Sequence, residues 1–140
     1  MKPIVVDASV AAKWFLPEPD AERAQVLLDE RFALLAPDLL WTEVASVVWK
    51  HTRKGVITRI EAETMVRQFL VFPVETHPCE SLLSDAMRLA LDHDRTVYDS
   101  LYLALAIRES ATFVTEDAKL ARSLAGGKLA RRITLLADLK

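Results

Sequence analysis

Five short apolar runs, separated by stretches of helical periodicity, constrain this chain more than any other feature. They are "PIVV" (3–6), "ALLAP" (33–37), "VET" (74–76), "ATFVT" (111–115) and "RITLL" (132–136). Each is too short for a helix and reads as a strand. Between them, "ASVAAKWFL" reads helical and is closed by Pro17 and Pro19, and "DAERAQVLLDERF" (20–32) is amphipathic, with Ala24, Leu27, Leu28 and Phe32 on one stripe. "DLLWTEVASVVWKHTRK" predicts a long helix capped by Asp38 and ended by Gly55. The next helix (58–72) opens on a capping box, Thr58 with Glu61. "CESLLSDAMRLALDHD", "TVYDSLYLALAIRES" and "EDAKLARSLA" supply three more, the last ended by Gly126 and Gly127. Strands that alternate with helices predict an α/β fold, a three-layer α/β/α sandwich on a short parallel sheet. One domain, 1–140, is expected.

The 140 residues are 51% hydrophobic, enough for a real core. No apolar run approaches the length of a bilayer span, and no signal-peptide pattern opens the chain. A single cysteine, Cys79, excludes an internal disulfide and fits a reducing, cytoplasmic setting. It reads as an ordinary helix-start residue. The net charge of −2 argues against a protein that merely coats nucleic acid.

Ligands of such folds sit beyond the carboxyl ends of the strands. Asp7 closes the first strand and Asp117 follows the fourth. Each also stands where a helix N-cap belongs, and capping alone would account for either. Glu43 has Leu39, Leu40, Ser46 and Val47 as helical neighbours, so it points near an apolar face, from which a glutamate can still reach water. Asp99 lies in a segment that is apolar at nearly every helical angle, where an ionised acid is costly unless paired. A cap, or a salt bridge to Arg95 or Arg108, is the structural alternative. Taken together, four carboxylates on one sheet edge would repel and be driven to protonate. A hard divalent ion, Mg²⁺ or Mn²⁺, removes that conflict and suits an all-oxygen site. It would supply the chemistry of phosphodiester hydrolysis.

The segments "IVVDASV", "LLWTEVASVVWK", "TVYDSLYLALA" and "FVTEDAKLA", in this order and spacing, resemble the PIN domain. Within that family they are similar to the toxin nucleases of bacterial and archaeal VapBC-type toxin–antitoxin pairs. The resemblance covers nearly the whole chain. It implies that Asp7, Glu43, Asp99 and Asp117 are metal-binding catalytic acids, with Ser9 and Thr115 as supporting hydroxyls. It further implies a Mg²⁺- or Mn²⁺-dependent endoribonuclease acting on single-stranded or structured RNA such as tRNA or rRNA. A homodimer, a cognate antitoxin protein and promoter DNA bound only through that antitoxin belong to the same expectation. Ala118, Lys119 and Leu120 follow "T-x-D" where some members carry a further acid, so one protein-held ion is expected.

Lys13, Arg95 and Lys119 lie near these acids in sequence and could meet RNA phosphates, though each also reads as a plain surface base. "KHTRK" (50–54) and "GKLARR" (127–132) read as solvated helix ends. Trp14, Trp41 and Trp49 could stack bases, but their spacing favours core or dimer surface, and "FLPEP" leaves Phe15 and Leu16 for the latter. "LDHDR" (91–95) reads as a turn, and His51 and His77 have no acid or cysteine at ligand spacing. Two other phosphoryl-handling folds fit less well. A receiver domain needs an acidic pair after the first strand, and a haloacid-dehalogenase-like phosphatase needs an aspartate where Ser9 stands. A PIN-fold RNA-processing nuclease outside a toxin–antitoxin pair, or a non-catalytic module whose acids are caps and salt bridges, remains the alternative.

Overall fold

The computed structural model describes residues 1–139. β1 (Lys2–Val6) runs into α1 (Ala8–Ala11), which tightens into a 3₁₀ turn at Ala12–Trp14. There follow α2 (Ala21–Val26), β2 (Phe32–Pro37), α3 (Leu39–Arg53), α4 (Arg59–Phe69) and β3 (Val74–His77). The chain then builds α5 (Cys79–His93), α6 (Val97–Arg108), β4 (Thr112–Thr115), α7 (Ala118–Leu124) and β5 (Ile133–Leu135). The five strands form one parallel sheet in the order β3-β2-β1-β4-β5. This is the expected three-layer α/β architecture.

The central strand explains its own sequence. β1 is flanked by β2 and β4, and Ile4, Val5 and Val6 have no solvent exposure, so its apolar residues run without alternation. The apolar circumference of α6 has the same cause. Its Leu101–Ala106 stretch is buried throughout, and the helix packs against α5 and against β1, β2 and β4.

The strand order reverses beside β1: β2 and β3 build outward on one side, β4 and β5 on the other. Connections on the two sides of such a point diverge and leave a crevice at the carboxyl ends of the strands. The register places Val6 opposite Val114, which brings Asp7 level with Thr115 at that crevice.

Several local expectations hold. Thr58 and Glu61 form the capping box, and Gly55 ends α3 at φ 77, with the Val56 N–H closing on the His51 carbonyl at 3.0 Å. Others are corrected. The amphipathic stretch 20–32 is helical only over Ala21–Val26, and Phe32 is already in β2, opposite Lys2. Asp38 makes no cap bond to α3; its Oδ1 instead accepts from the Cys79 N–H at the start of α5, 3.1 Å away. The helix from 58 stops at Phe69 rather than 72. Leu16 is buried in the core and Phe15 packs edge-on against Phe69, so "FLPEP" offers little free surface. Among the described residues, no helix is long and apolar enough to cross a membrane.

Candidate active site

Asp7 is an N-cap, as its position before α1 suggested, and more than that. Its Oδ1 accepts from the Val10 N–H at 3.2 Å and from the Ser9 hydroxyl at 2.6 Å, while Oδ2 accepts from the Thr115 hydroxyl at 2.5 Å. Strand pairing thus joins two ends of the chain: β4 delivers a hydroxyl to the acid that closes β1. Burial pushes the Asp7 carboxyl up to about 6, the charge of Glu43 adds to this, and bonds from Ser9, Thr115 and Val10 oppose it.

Glu43 sits half-buried on α3, and its Oε1 accepts from the Tyr102 hydroxyl at 2.5 Å. Tyr102 is buried on α6 and stacks on Phe113 of β4, ring centres 5.5 Å apart. Its phenol is held far above the ordinary range, first by burial, then by Glu43, with Asp7 adding to the effect. The hydroxyl is therefore a neutral donor lying within the field of two carboxylates.

Asp99 is not a cap. Thr96 caps α6 and accepts the Asp99 N–H at 3.0 Å, so the Asp99 carboxylate does not serve as the N-cap. Burial raises this carboxyl, and so does the charge of Asp117, while Thr96 and Arg95 pull it down. Asp117 caps α7 through Leu120 at 3.0 Å, and its own N–H donates to the Thr115 hydroxyl at 3.1 Å.

The four acids thus come as two electrostatic pairs, Asp7 with Glu43 and Asp99 with Asp117. Among the described residues, no three His, Cys, Asp or Glu side chains are grouped closely enough to form a ready-made metal cage. None of the four carboxylates is in an ion pair within 4.0 Å among the described residues. An Arg95 or Arg108 salt bridge to Asp99 is therefore not what the chain uses. Asp7 and Asp99 are each raised by burial and by a neighbouring carboxylate, and a site whose acids have no cation in ion-pair contact fits a divalent ion.

The remaining expected residues divide. Arg95 lies close enough to lower the Asp99 carboxyl, and its Nε donates to the Asp94 carbonyl at 2.9 Å. Lys119 is exposed on α7. Lys13 differs from a surface base: its side chain is 2% exposed and its ammonium faces Glu116 at 3.1 Å and Glu18 at 3.4 Å. Its N–H groups already meet protein acceptors, Glu116, Glu18 and the Pro19 carbonyl. "LDHDR" is not wholly a turn: Leu91–His93 form the exposed end of α5, and Asp94 at φ 52 closes that helix. His51 and His77 face single glutamates, Glu18 and Glu75, rather than a ligand group. Trp14 is buried, its indole N–H donating to the Ala24 carbonyl at 2.9 Å, and Trp41 packs on Phe69. Trp49 is 54% exposed and lines an apolar cleft between α3 and α4.

Tyr102 was not singled out from the sequence. The available signal was a phenol one helical turn beyond Asp99 in an otherwise apolar helix, since a buried hydroxyl needs an acceptor.

Residues 4–123 match the PIN domain family. This chain is a PIN domain. It is 38% identical over 120 residues to Ribonuclease VapC3 of Pyrobaculum aerophilum, an alignment covering 84% of this PIN domain and 92% of that relative. Two solved structures share the fold. A toxin–antitoxin complex from Klebsiella pneumoniae superposes with a TM-score of 0.68 at 13% identity, covering 97% of this chain and 99% of that one. VapBC2 from Rickettsia felis, bound to a DNA fragment from their promoter, gives 0.62 at 14%, covering 95% and 98%.

Proposed function

We propose that this PIN domain is an endoribonuclease of the toxin class. It would hydrolyse phosphodiester bonds in single-stranded or structured RNA such as tRNA or rRNA, using a divalent ion held by Asp7, Glu43, Asp99 and Asp117. The observation that carries the reading is a set of carboxylates at the sheet's switch point, Asp7 cradled by Ser9 and Thr115 and Glu43 held by Tyr102, with none of the four acids in an ion pair within 4.0 Å among the described residues. The likeness to a ribonuclease over 92% of that relative's length supports the same class of reaction.

The chain's own residues do the holding. Ser9 and Thr115 aim both oxygens of Asp7, and with the Val10 N–H they use three of its roughly four lone-pair directions, leaving one for a ligand. Tyr102 orients Glu43 from the core side. Bound here, Mg²⁺ or Mn²⁺ would neutralise charge on the phosphate and acidify a water. Arg95 and Lys119 stand at the rim as candidate phosphate contacts.

The toxin–antitoxin complexes among the structural neighbours support a cognate antitoxin as partner, with promoter DNA reached through it. A homodimer belongs to the same proposal. The test is cleavage of tRNA and rRNA by purified protein with Mg²⁺ or Mn²⁺. Cleavage by the wild type that is lost with chelator and in Asp7→Asn supports the assignment. A wild type inactive across both ions and both RNA classes refutes it.

A further inference from the structure

The nuclease reading leaves one buried charge without a role. Lys13, in the 3₁₀ turn after α1, has three protons and three acceptors: Glu116 Oε2 at 3.1 Å, Glu18 Oε2 at 3.4 Å and the Pro19 carbonyl. Its donors are saturated and nothing is left for substrate. Burying an ammonium against carboxylates adds little net stability over an apolar replacement, so its retention asks for another reason.

The placement of its partners supplies that reason. Glu116 lies between Thr115 and Asp117. The backbone of this turn is stitched to the Asp7 cradle: the Glu116 N–H donates to Ser9 Oγ at 3.3 Å, and the Asp117 N–H to Thr115 Oγ1 at 3.1 Å. Lys13 is the ion-pair partner of the Glu116 side chain, and it sits one turn beyond the helix that Asp7 caps. Its other partner, Glu18, reaches His51 Nε2 at 3.1 Å, eight residues beyond Glu43 on α3. The His51 ring is itself held by Nδ1 against the Val47 carbonyl at 3.0 Å. One ammonium therefore ties together the elements that carry Asp7, Asp117 and Glu43.

We infer that Lys13 is a positioning residue: through Glu116 it fixes the turn bearing Asp117, and through Glu18 and His51 it fixes that turn's distance from α3. The affinity of the acidic site for a divalent ion thus depends on a cation that never touches the ion. This rests on the metal-dependent reading above, and the sign of one substitution separates it from its competitors. By through-space electrostatics alone, removing a positive charge near an acidic site tightens binding of a divalent cation. A purely structural lysine lowers the melting temperature and leaves the affinity of the folded protein unchanged. A positioning lysine weakens binding.

The experiment compares wild type, Lys13→Met and, as a remote control on α4, Glu63→Gln. Mn²⁺ binding is read by the electron paramagnetic resonance of the free ion, and amide hydrogen exchange is read in metal-free protein. Lys13→Met is expected to weaken Mn²⁺ binding about tenfold, the scale at which supports behind metal ligands act. It is also expected to speed exchange at the Glu116 and Asp117 amides about tenfold by loosening the turn. Glu63→Gln leaves both unchanged. Equal or tighter Mn²⁺ binding in Lys13→Met, or unaltered exchange at the turn, overturns the inference. Should the single variant fail to fold, Lys13→Met with Glu116→Met removes both charges of the pair, keeps the net charge, and is expected to show the same weakening. A wild type that takes up no Mn²⁺ overturns the metal reading and the role given to Lys13 in it; the exchange rates then report separately whether the turn is latched.

Discussion

Replacing Asp7 with asparagine separates what this carboxylate costs the fold from what it does for the site. Burial, with Glu43 adding to it, raises the carboxyl from 3.8 to about 6. Between those values the folded protein keeps a proton that the unfolded chain has released, so stability falls as pH rises through the interval. Below both, the group is neutral in either state; above about 6 the folded protein carries the charge and the full cost applies. At about 1.4 kcal/mol per pH unit, the interval amounts to about 3 kcal/mol at neutral pH. Asparagine removes that cost but turns an amide N–H₂ toward the Thr115 hydroxyl, forfeiting a hydrogen bond of about 1 kcal/mol. The net gain is about 2 kcal/mol, or about 6 °C in Tm for a chain of this length. Thermal denaturation in chelator, at about pH 7.5 and again at about pH 4.5, measures it. The variant is expected to be the more stable protein at the higher pH and equal to wild type at the lower, where the remaining cost of about 1 kcal/mol matches the forfeited hydrogen bond. A less stable variant at the higher pH, or the same gap at both, refutes the claim that a destabilised charge closes β1.

Asp99→Asn relieves the repulsion from Asp117, so it is expected to hold or raise metal-free Tm while abolishing the stabilisation that Mn²⁺ gives the wild type; a large metal-free loss would mark Asp99 as a structural group. Tyr102→Phe keeps the stacking on Phe113 and deletes the donor to Glu43, a bond to a charged group worth about 1.5–3 kcal/mol. RNA cleavage by that variant should drop about tenfold or more in a single-turnover assay, and undiminished cleavage would remove Glu43 orientation from the account. Thr58→Ala breaks the capping box of α4, far from the acids, and should lower stability by about 1 kcal/mol in a urea titration with no change in cleavage.

The positions of Asp7 and Asp117 were legible in the sequence for one reason. Both are caps and both stand at the crevice, because in a parallel sheet the residue that ends a strand often begins the next helix. Asp99 was legible because its helix is apolar nearly all round, so an acid there stands out from its neighbours. What stayed hidden depended on contacts between segments distant in sequence. Asp38 looked like the cap of its own helix and serves α5 instead, since β2 and β3 end side by side at Pro37 and His77. Lys13 looked like a surface base because no local pattern shows that Glu116, from the far end of the chain, folds over it. The short extent of α2 was masked by an apolar stripe that continues into β2, where Phe32 is buried by strand pairing rather than by helical spacing.

The bond between Thr115 and Asp7 spans 108 residues of chain. A ribosome making this protein releases the first acid early and the hydroxyl that aims it only after β4 has been translated. The central strand has no second neighbour until then, and such distant pairings form late. A nascent chain that stops short of β4 holds three of the acids, the first of them aimed by Ser9 and Val10 alone and without the Thr115 bond to its second oxygen. For an enzyme that would cut RNA, the cutting centre is assembled only once β4 has joined the sheet.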